Sequence, residues 1–101
     1  MESGTERAGI GPDPSLLLVD DDEAFLRRLA RAMERRGFAV ATAGSVAEAR
    51  EAIAARAPAY AVVDLRLGDG NGLDVVERLR ERRAAARGIV LTGYGAIATA
   101  V

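Results

Sequence analysis

Carboxylate side chains cluster at two points where short apolar runs end. Asp20, Asp21, Asp22 and Glu23 follow the apolar residues 16–19, and Asp64 follows a second apolar run, residues 60–63. Carboxylates brought together repel one another, and a hard divalent cation with oxygen ligands, such as Mg²⁺, relieves that repulsion. A bound Mg²⁺ can also neutralise a phosphoryl group. We therefore expect a Mg²⁺-dependent phosphoryl site.

The alternative is that these acidic residues only cap the helix that follows, since helix N-termini attract negative charge. We favour this explanation for Asp22 and Glu23. It is weak for Asp20, Asp21 and Asp64 taken together, because a helix cap requires no aspartate at the end of another strand.

The elements that position these residues alternate along the chain. Predicted strands cover residues 16–19, 38–42, 60–63 and 89–91, and amphipathic helices begin after residue 22, at Ser45 and at Gly72. Residues 96–101 resemble the start of a fourth helix. Alternation of apolar strands and helices predicts an α/β fold with a parallel sheet covered on both faces. Ligands bind such sheets beyond the carboxyl ends of the strands.

Composition excludes several chemistries. The chain has 101 residues, enough for one domain, with 50% hydrophobic and 29% charged residues and a net charge of −1. It contains no Cys, His or Lys, which excludes thiol catalysis, catalytic triads and Schiff bases. The charge gives no basis for nucleic-acid binding by this fragment, and no segment is apolar enough to cross a membrane. Residues 1–14 are expected to be a flexible leader without an export signal, so a cytoplasmic location is the default.

Four short blocks together resemble the receiver domain of bacterial two-component response regulators. They are residues 17–23 (LLVDDDE), 63–67 (VDLRL), 72–74 (GLD) and 90–93 (VLTG). The sequences of residues 64–76 and 91–101 are similar to those of the ActR/RegA/PrrA type of redox-responsive regulators. The resemblance covers residues 15–101 and implies a flavodoxin-like (CheY-like), doubly wound parallel sheet with strand order 2-1-3-4.

The resemblance also implies roles at the site. Asp64 would be the phosphoacceptor for a sensor histidine kinase, and Thr92 would hydrogen-bond the phosphoryl group, for which Gly93 leaves space. Asp21, Asp64 and the backbone carbonyl of Arg66 would ligate Mg²⁺ directly, and Asp20 would act through a metal-bound water. The chain would then signal by conformational change in the service of transcriptional control, and it would not be an enzyme that acts on a separate substrate.

One departure from the family pattern stands out. Receivers carry a fifth strand that ends in a Lys, followed by a fifth helix, and this sequence contains neither. We therefore expect a receiver truncated within its fourth helix. An exposed fourth strand or fourth helix would then favour self-association.

Two alternatives to a working phosphoacceptor stay open on the sequence. The chain could be an inert or oligomerising receiver remnant, or a Mg²⁺-dependent phosphohydrolase with Asp64 as nucleophile. The hydrolase is disfavoured because Arg66 stands where such enzymes commonly carry a second acid. The basic face of the first helix is either part of a kinase docking surface or, as we favour, an ordinary solvated face; it comprises Arg27, Arg28, Arg31, Arg35 and Arg36.

Overall fold

The computed structural model describes residues 10–92 and the backbone of residues 97–99. Its strands are β1 (Ser15–Val19), β2 (Ala39–Ala43), β3 (Tyr60–Asp64), β4 (Arg66–Leu67), β5 (Gly70–Asn71), β6 (Arg87–Leu91) and β7 (Ile97–Thr99). Its helices are α1 (Glu23–Arg35), α2 (Val46–Ala55) and α3 (Gly72–Arg82). The main sheet has the order β2-β1-β3-β6-β7, and the first four of these strands are parallel. The predicted α/β class and the 2-1-3-4 strand order are confirmed.

The central strands are apolar throughout because both sheet faces are covered. Leu17 and Val19 of β1 pack with α2 and α3 in the larger core cluster, whereas Leu16 and Leu18 pack with Leu26 of α1 on the opposite face. Successive residues of a strand point to opposite faces, so an unbroken apolar run is what a doubly covered strand requires. All four apolar residues of β1, Leu16 to Val19, are at most 3% exposed.

The helices begin and end at residues whose side chains or backbone suit those positions. Asp22 caps α1 by accepting a hydrogen bond from the Phe25 N–H at 3.0 Å, as predicted. The helix is followed by Gly37, whose φ of 101° is a conformation that favours glycine. Ser45 caps α2 by accepting from the Glu48 N–H at 3.0 Å, and the Glu48 carboxylate in turn accepts from the Gly44 N–H. The predicted capping box is therefore present, with its return bond shifted by one residue.

The end of the chain departs from the predicted fourth helix. Ile97–Thr99 instead form β7, which pairs antiparallel with β6 in the register Ile89↔Thr99 to Leu91↔Ile97. An unpaired edge of β6 would present free backbone donors and acceptors, and the β-branched residues of β7 suit a strand that covers them. The prediction of an exposed fourth strand was thus wrong over Ile89–Leu91, and self-association through that edge loses its structural ground.

The first described residues also contact the sheet, although a flexible leader was predicted as far as residue 14. The Gly11 N–H donates to the Tyr60 hydroxyl at 3.1 Å. The Asp13 carboxylate accepts from the Ser15 N–H at 3.0 Å and from Arg83 at 2.8 Å. Backbone hydrogen bonding to Ser15, followed by the Arg83 guanidinium, lowers the pKa of Asp13 to about 2. Residues 10–14 are consequently tied to the end of the sheet opposite the acidic cluster.

Candidate functional site: an acidic cluster at the carboxyl edge of the sheet

Three aspartates meet where β1 and β3 end. Asp20 follows the last residue of β1, Asp21 is next, and Asp64 is the last residue of β3. The two strands are neighbours, with Val19 opposite Val63. One carboxylate oxygen from each aspartate lies within 4.8 Å of the others. The predicted convergence of Asp20, Asp21 and Asp64 is therefore present, and it results directly from parallel pairing.

Backbone hydrogen bonds fix the Asp20 side of the cluster. The Asp20 N–H donates to the Ala43 carbonyl at 3.1 Å, which continues the β1–β2 pairing past the strand end. The Asp20 Oδ1 accepts from the Asp22 N–H at 2.9 Å. Asp22 in turn caps α1, so its carboxylate is engaged with the helix rather than with the cluster. This division of roles agrees with the sequence interpretation of Asp22.

Electrostatic repulsion is built into this edge. Burial raises the pKa of Asp20, and the negative charges of Asp64, Asp21 and Asp22 raise it further, against the opposing effect of the Asp22 N–H. Asp20 and Asp64 are half-buried, whereas Asp21 is exposed. An oxygen-only donor set with crowded charge is the chemistry that suits a hard divalent cation. The residues present thus fit Mg²⁺.

The Asp64 side of the cluster is held by the segment that follows it. The Leu65 N–H donates to the Leu91 carbonyl at 2.8 Å, and the Leu65 carbonyl accepts from the Gly72 N–H at 2.8 Å. The Arg66 N–H donates weakly to the Asp64 Oδ1, at 3.4 Å. Gly72 is buried so closely against the end of β3 that a Cβ there would overlap the Asp64 carbonyl oxygen. This close approach, rather than a turn, explains the need for glycine at position 72.

The remaining predicted site residues are Thr92, Arg66 and Gly93. Asp64 pairs with Leu91 in the sheet register. Thr92 is the next residue after Leu91, and it is half-buried. Arg66 lies in β4 with its side chain exposed. Gly93 lies outside the described residues.

Residues 16–101 match the family model of the response regulator receiver domain. The chain belongs to this family. Receiver domains are signalling domains rather than enzymes that act on a separate substrate. In the part of this receiver domain that the structure describes, no helix has the length and apolar character needed to cross a membrane.

Similar proteins include two named regulators. The receiver domain is 73% identical over 92 residues to the photosynthetic apparatus regulatory protein RegA of Cereibacter sphaeroides, covering 91% of this chain and 50% of RegA. It is 70% identical over 92 residues to the acid tolerance regulatory protein ActR of Sinorhizobium medicae, covering 91% of this chain and 47% of ActR. The chain thus spans about half the length of the curated relatives it matches.

A solved structure supports the same fold. The receiver domain superimposes on a response regulator from Burkholderia pseudomallei with a TM-score of 0.76 and 41% identity. The match covers 81% of this chain and 48% of that one. The Burkholderia protein was crystallised with a phosphorylated aspartic acid, a calcium ion and citrate.

Sequence reasoning missed one residue of this receiver domain, Asp69. The segment after β3 contains a small hairpin of β4 and β5, and Asp69 lies in its two-residue turn. The Asp69 carboxylate accepts from the N–H groups of Val46 and Ala47 at the start of α2. A signal existed in the sequence, because Asp is a strong helix-capping residue, but the helix it caps begins 23 positions earlier.

Proposed function

We propose that this chain accepts a phosphoryl group on Asp64 from a sensor histidine kinase in a Mg²⁺-dependent reaction and signals by a change of conformation. The observation that carries the proposal is the meeting of Asp20, Asp21 and Asp64 at one edge of the sheet. Asp64 is the natural acceptor because it ends the strand at the centre of the parallel sheet and is half-buried.

The transfer step requires a carboxylate nucleophile. An oxygen of the Asp64 carboxylate attacks the phosphorus of a phosphohistidine, a P–O bond forms, and the P–N bond breaks with its electron pair returning to the imidazole nitrogen. The Arg66 N–H, which contacts the Asp64 Oδ1, helps orient the carboxylate. The Thr92 hydroxyl is proposed to hydrogen-bond the transferred group.

Asp21, Asp64 and the Arg66 carbonyl are the residues that would hold Mg²⁺ directly, with Asp20 acting through a water molecule. The chemistry that the ion supplies when bound is neutralisation of negative charge on the carboxylates and on the phosphoryl oxygens. The raised pKa of Asp20 is consistent with this proposal, because burial and neighbouring carboxylates leave the cluster with uncompensated charge.

The similarity to RegA and ActR supports a role for the longer protein in transcriptional control. The location is proposed to be cytoplasmic, where a kinase partner and DNA are both accessible. The basic residues Arg27, Arg28, Arg31 and Arg35 of α1, and Arg36 directly after it, are exposed and would be available to a kinase, although we favour an ordinary solvated face.

The test is phosphorylation with acetyl phosphate and MgCl₂, followed by intact-protein mass spectrometry. We expect a stable adduct on the parent chain, no adduct on Asp64→Asn and a nearly normal adduct on Asp22→Asn. Asp22→Asn is the matched control because it also removes one carboxylate, and Asn still caps a helix. Equal losses in both variants would contradict the assignment of Asp64, and continuous release of phosphate would favour the phosphohydrolase.

A further inference from the structure

The turn of the β4–β5 hairpin is bound to a helix from elsewhere in the chain. The Asp69 Oδ1 accepts from the Val46 N–H at 2.8 Å, and its Oδ2 accepts from the Ala47 N–H at 3.0 Å. The hairpin also packs on the same helix, because a Cβ at Gly70 would lie 3.2 Å from the Val46 Cγ2. The contact is therefore a specific docking of the hairpin on the start of α2.

This contact completes the capping of α2 from two sources. The first two helical N–H groups donate to Asp69, and the third, on Glu48, donates to the Ser45 hydroxyl. The two backbone hydrogen bonds lower the pKa of Asp69, so it is ionised at neutral pH and its charge suits the helix N-terminus. Ser45 provides the local cap, whereas Asp69 provides a long-range one.

The docked hairpin leads back to both sides of the acidic cluster. Its first residue, Arg66, donates its N–H to the Asp64 carboxylate. The helix on which it docks follows directly from β2, whose last residue, Ala43, accepts from the Asp20 N–H. Asp69 consequently links the backbone beside Asp64 to the backbone beside Asp20 through one pair of hydrogen bonds.

We propose that Asp69 is a positioning residue for the acceptor site: its carboxylate docks the β4–β5 hairpin on α2 and so holds the Arg66 backbone against Asp64. The inference rests on the proposed function in one respect, since it assigns the Arg66 carbonyl to the Mg²⁺ site. Residues that orient metal ligands from outside the ligand set typically change metal affinity by about 10–100-fold when removed.

The experiment compares two ways of removing a cap from the same helix. Asp69→Ala removes the cap that belongs to the hairpin, and Ser45→Ala removes the local cap without touching the hairpin. Calorimetric titration with MgCl₂ should show affinity reduced about tenfold in Asp69→Ala and nearly unchanged in Ser45→Ala. Asp69→Asn should be intermediate, because its amide oxygen can still accept from one of the two N–H groups while its NH₂ group cannot accept.

A second readout needs no metal. In amide NMR spectra of the metal-free chain, Asp69→Ala should shift the Arg66–Asn71 resonances and accelerate amide exchange at Gly72, while Ser45→Ala should leave them in place. Failure of the parent chain to bind Mg²⁺ would refute the proposed function alone, and the spectra would still decide the positioning role. Unchanged hairpin resonances in Asp69→Ala, or equal loss of Mg²⁺ affinity in Ser45→Ala, would overturn it. If Asp69→Ala does not fold, Asp69→Asn provides the same comparison.

Discussion

Replacing Gly72 with Ala should strain the end of β3, where the proposed acceptor lies. Gly72 is the first residue of α3 and is buried. A Cβ at this position would overlap the Asp64 carbonyl oxygen and would lie 2.9 Å from the Val63 Cγ1 and 3.0 Å from the Asp64 carbonyl carbon. Two of these three atoms belong to the backbone of β3. Relief therefore requires the strand end or the helix start to move, rather than a side chain to rotate.

The expected magnitude follows from two opposing effects. Overpacking of a well-packed interior costs about 1–3 kcal/mol, and a backbone clash belongs at the upper end of that range. The smaller conformational entropy of unfolded Ala returns about 0.4–1 kcal/mol. We expect a net loss of about 2 kcal/mol in the free energy of unfolding, larger if the Gly72 N–H loses its hydrogen bond to Leu65. Such a loss is a large part of the roughly 5–15 kcal/mol that stabilises a domain.

Urea denaturation followed by far-UV circular dichroism measures this loss, since the chain contains no Trp. Gly68→Ala is the matched control, because a Cβ at Gly68 meets nothing within 4 Å and its φ is not positive. The control should be neutral or slightly stabilised. Acetyl phosphate labelling should fall in Gly72→Ala and not in Gly68→Ala. A Gly72→Ala variant as stable as the parent, or equal losses in the two variants, would refute the argument from close packing.

Three further predictions concern charge. With a chelator present, Asp20→Asn should raise the thermal midpoint at neutral pH, because the raised pKa of Asp20 means that its ionised form destabilises the fold. This gain should disappear as the pH falls below 3.8, the ordinary pKa of an aspartate. A lower midpoint of the variant at neutral pH would contradict this prediction. Asp13→Asn should lower the midpoint at neutral pH, and the difference from the parent should vanish as the pH falls from 3.8 to about 2, since Asp13 stabilises the fold only while ionised; a difference that persists at pH 2 would point to another cause. Asp21→Ala should weaken Mg²⁺ binding in a calorimetric titration while leaving the thermal midpoint of the metal-free chain nearly unchanged, and retention of parental affinity would remove Asp21 from the proposed ligands.

Local signals in the sequence were sufficient for most of the fold. The apolar run of β1 predicts a strand covered on both faces, and the structure buries all four of its apolar residues. Ser45 and Asp22 predict helix starts through the chemistry of their own side chains, and both accept the expected hydrogen bonds. The cluster of Asp20, Asp21 and Asp64 was predictable as well, because parallel strands place their carboxyl ends at one edge.

Features that depend on distant parts of the chain were not predictable in this way. Asp69 caps a helix that begins 23 residues before it, and Asp13 binds Arg83 across 70 positions. Neither pair has a periodic or local signature. The helix predicted over Ile97–Thr99 was wrong for a related reason. The conformation of a short segment depends on the element it can pair with, and here that element is the edge of β6.

Local and distant contacts together fix the position of the Asp64 carboxylate. The carboxylates of the cluster are supplied by two strand ends, but the atoms that hold the Asp64 segment are backbone groups of Leu65, Arg66 and Gly72, together with the carbonyl of Leu91. A substitution that leaves all three carboxylates of the cluster in place can therefore still move the site if it changes the packing of this backbone. Gly72 directly follows the connecting hairpin and Asp69 lies in its turn, and both hold the hairpin in place, Gly72 by close contact and Asp69 by hydrogen bonding. Loss of either should displace the same short segment, and a double variant should lose less than the sum of the two single effects, because the segment can be released only once.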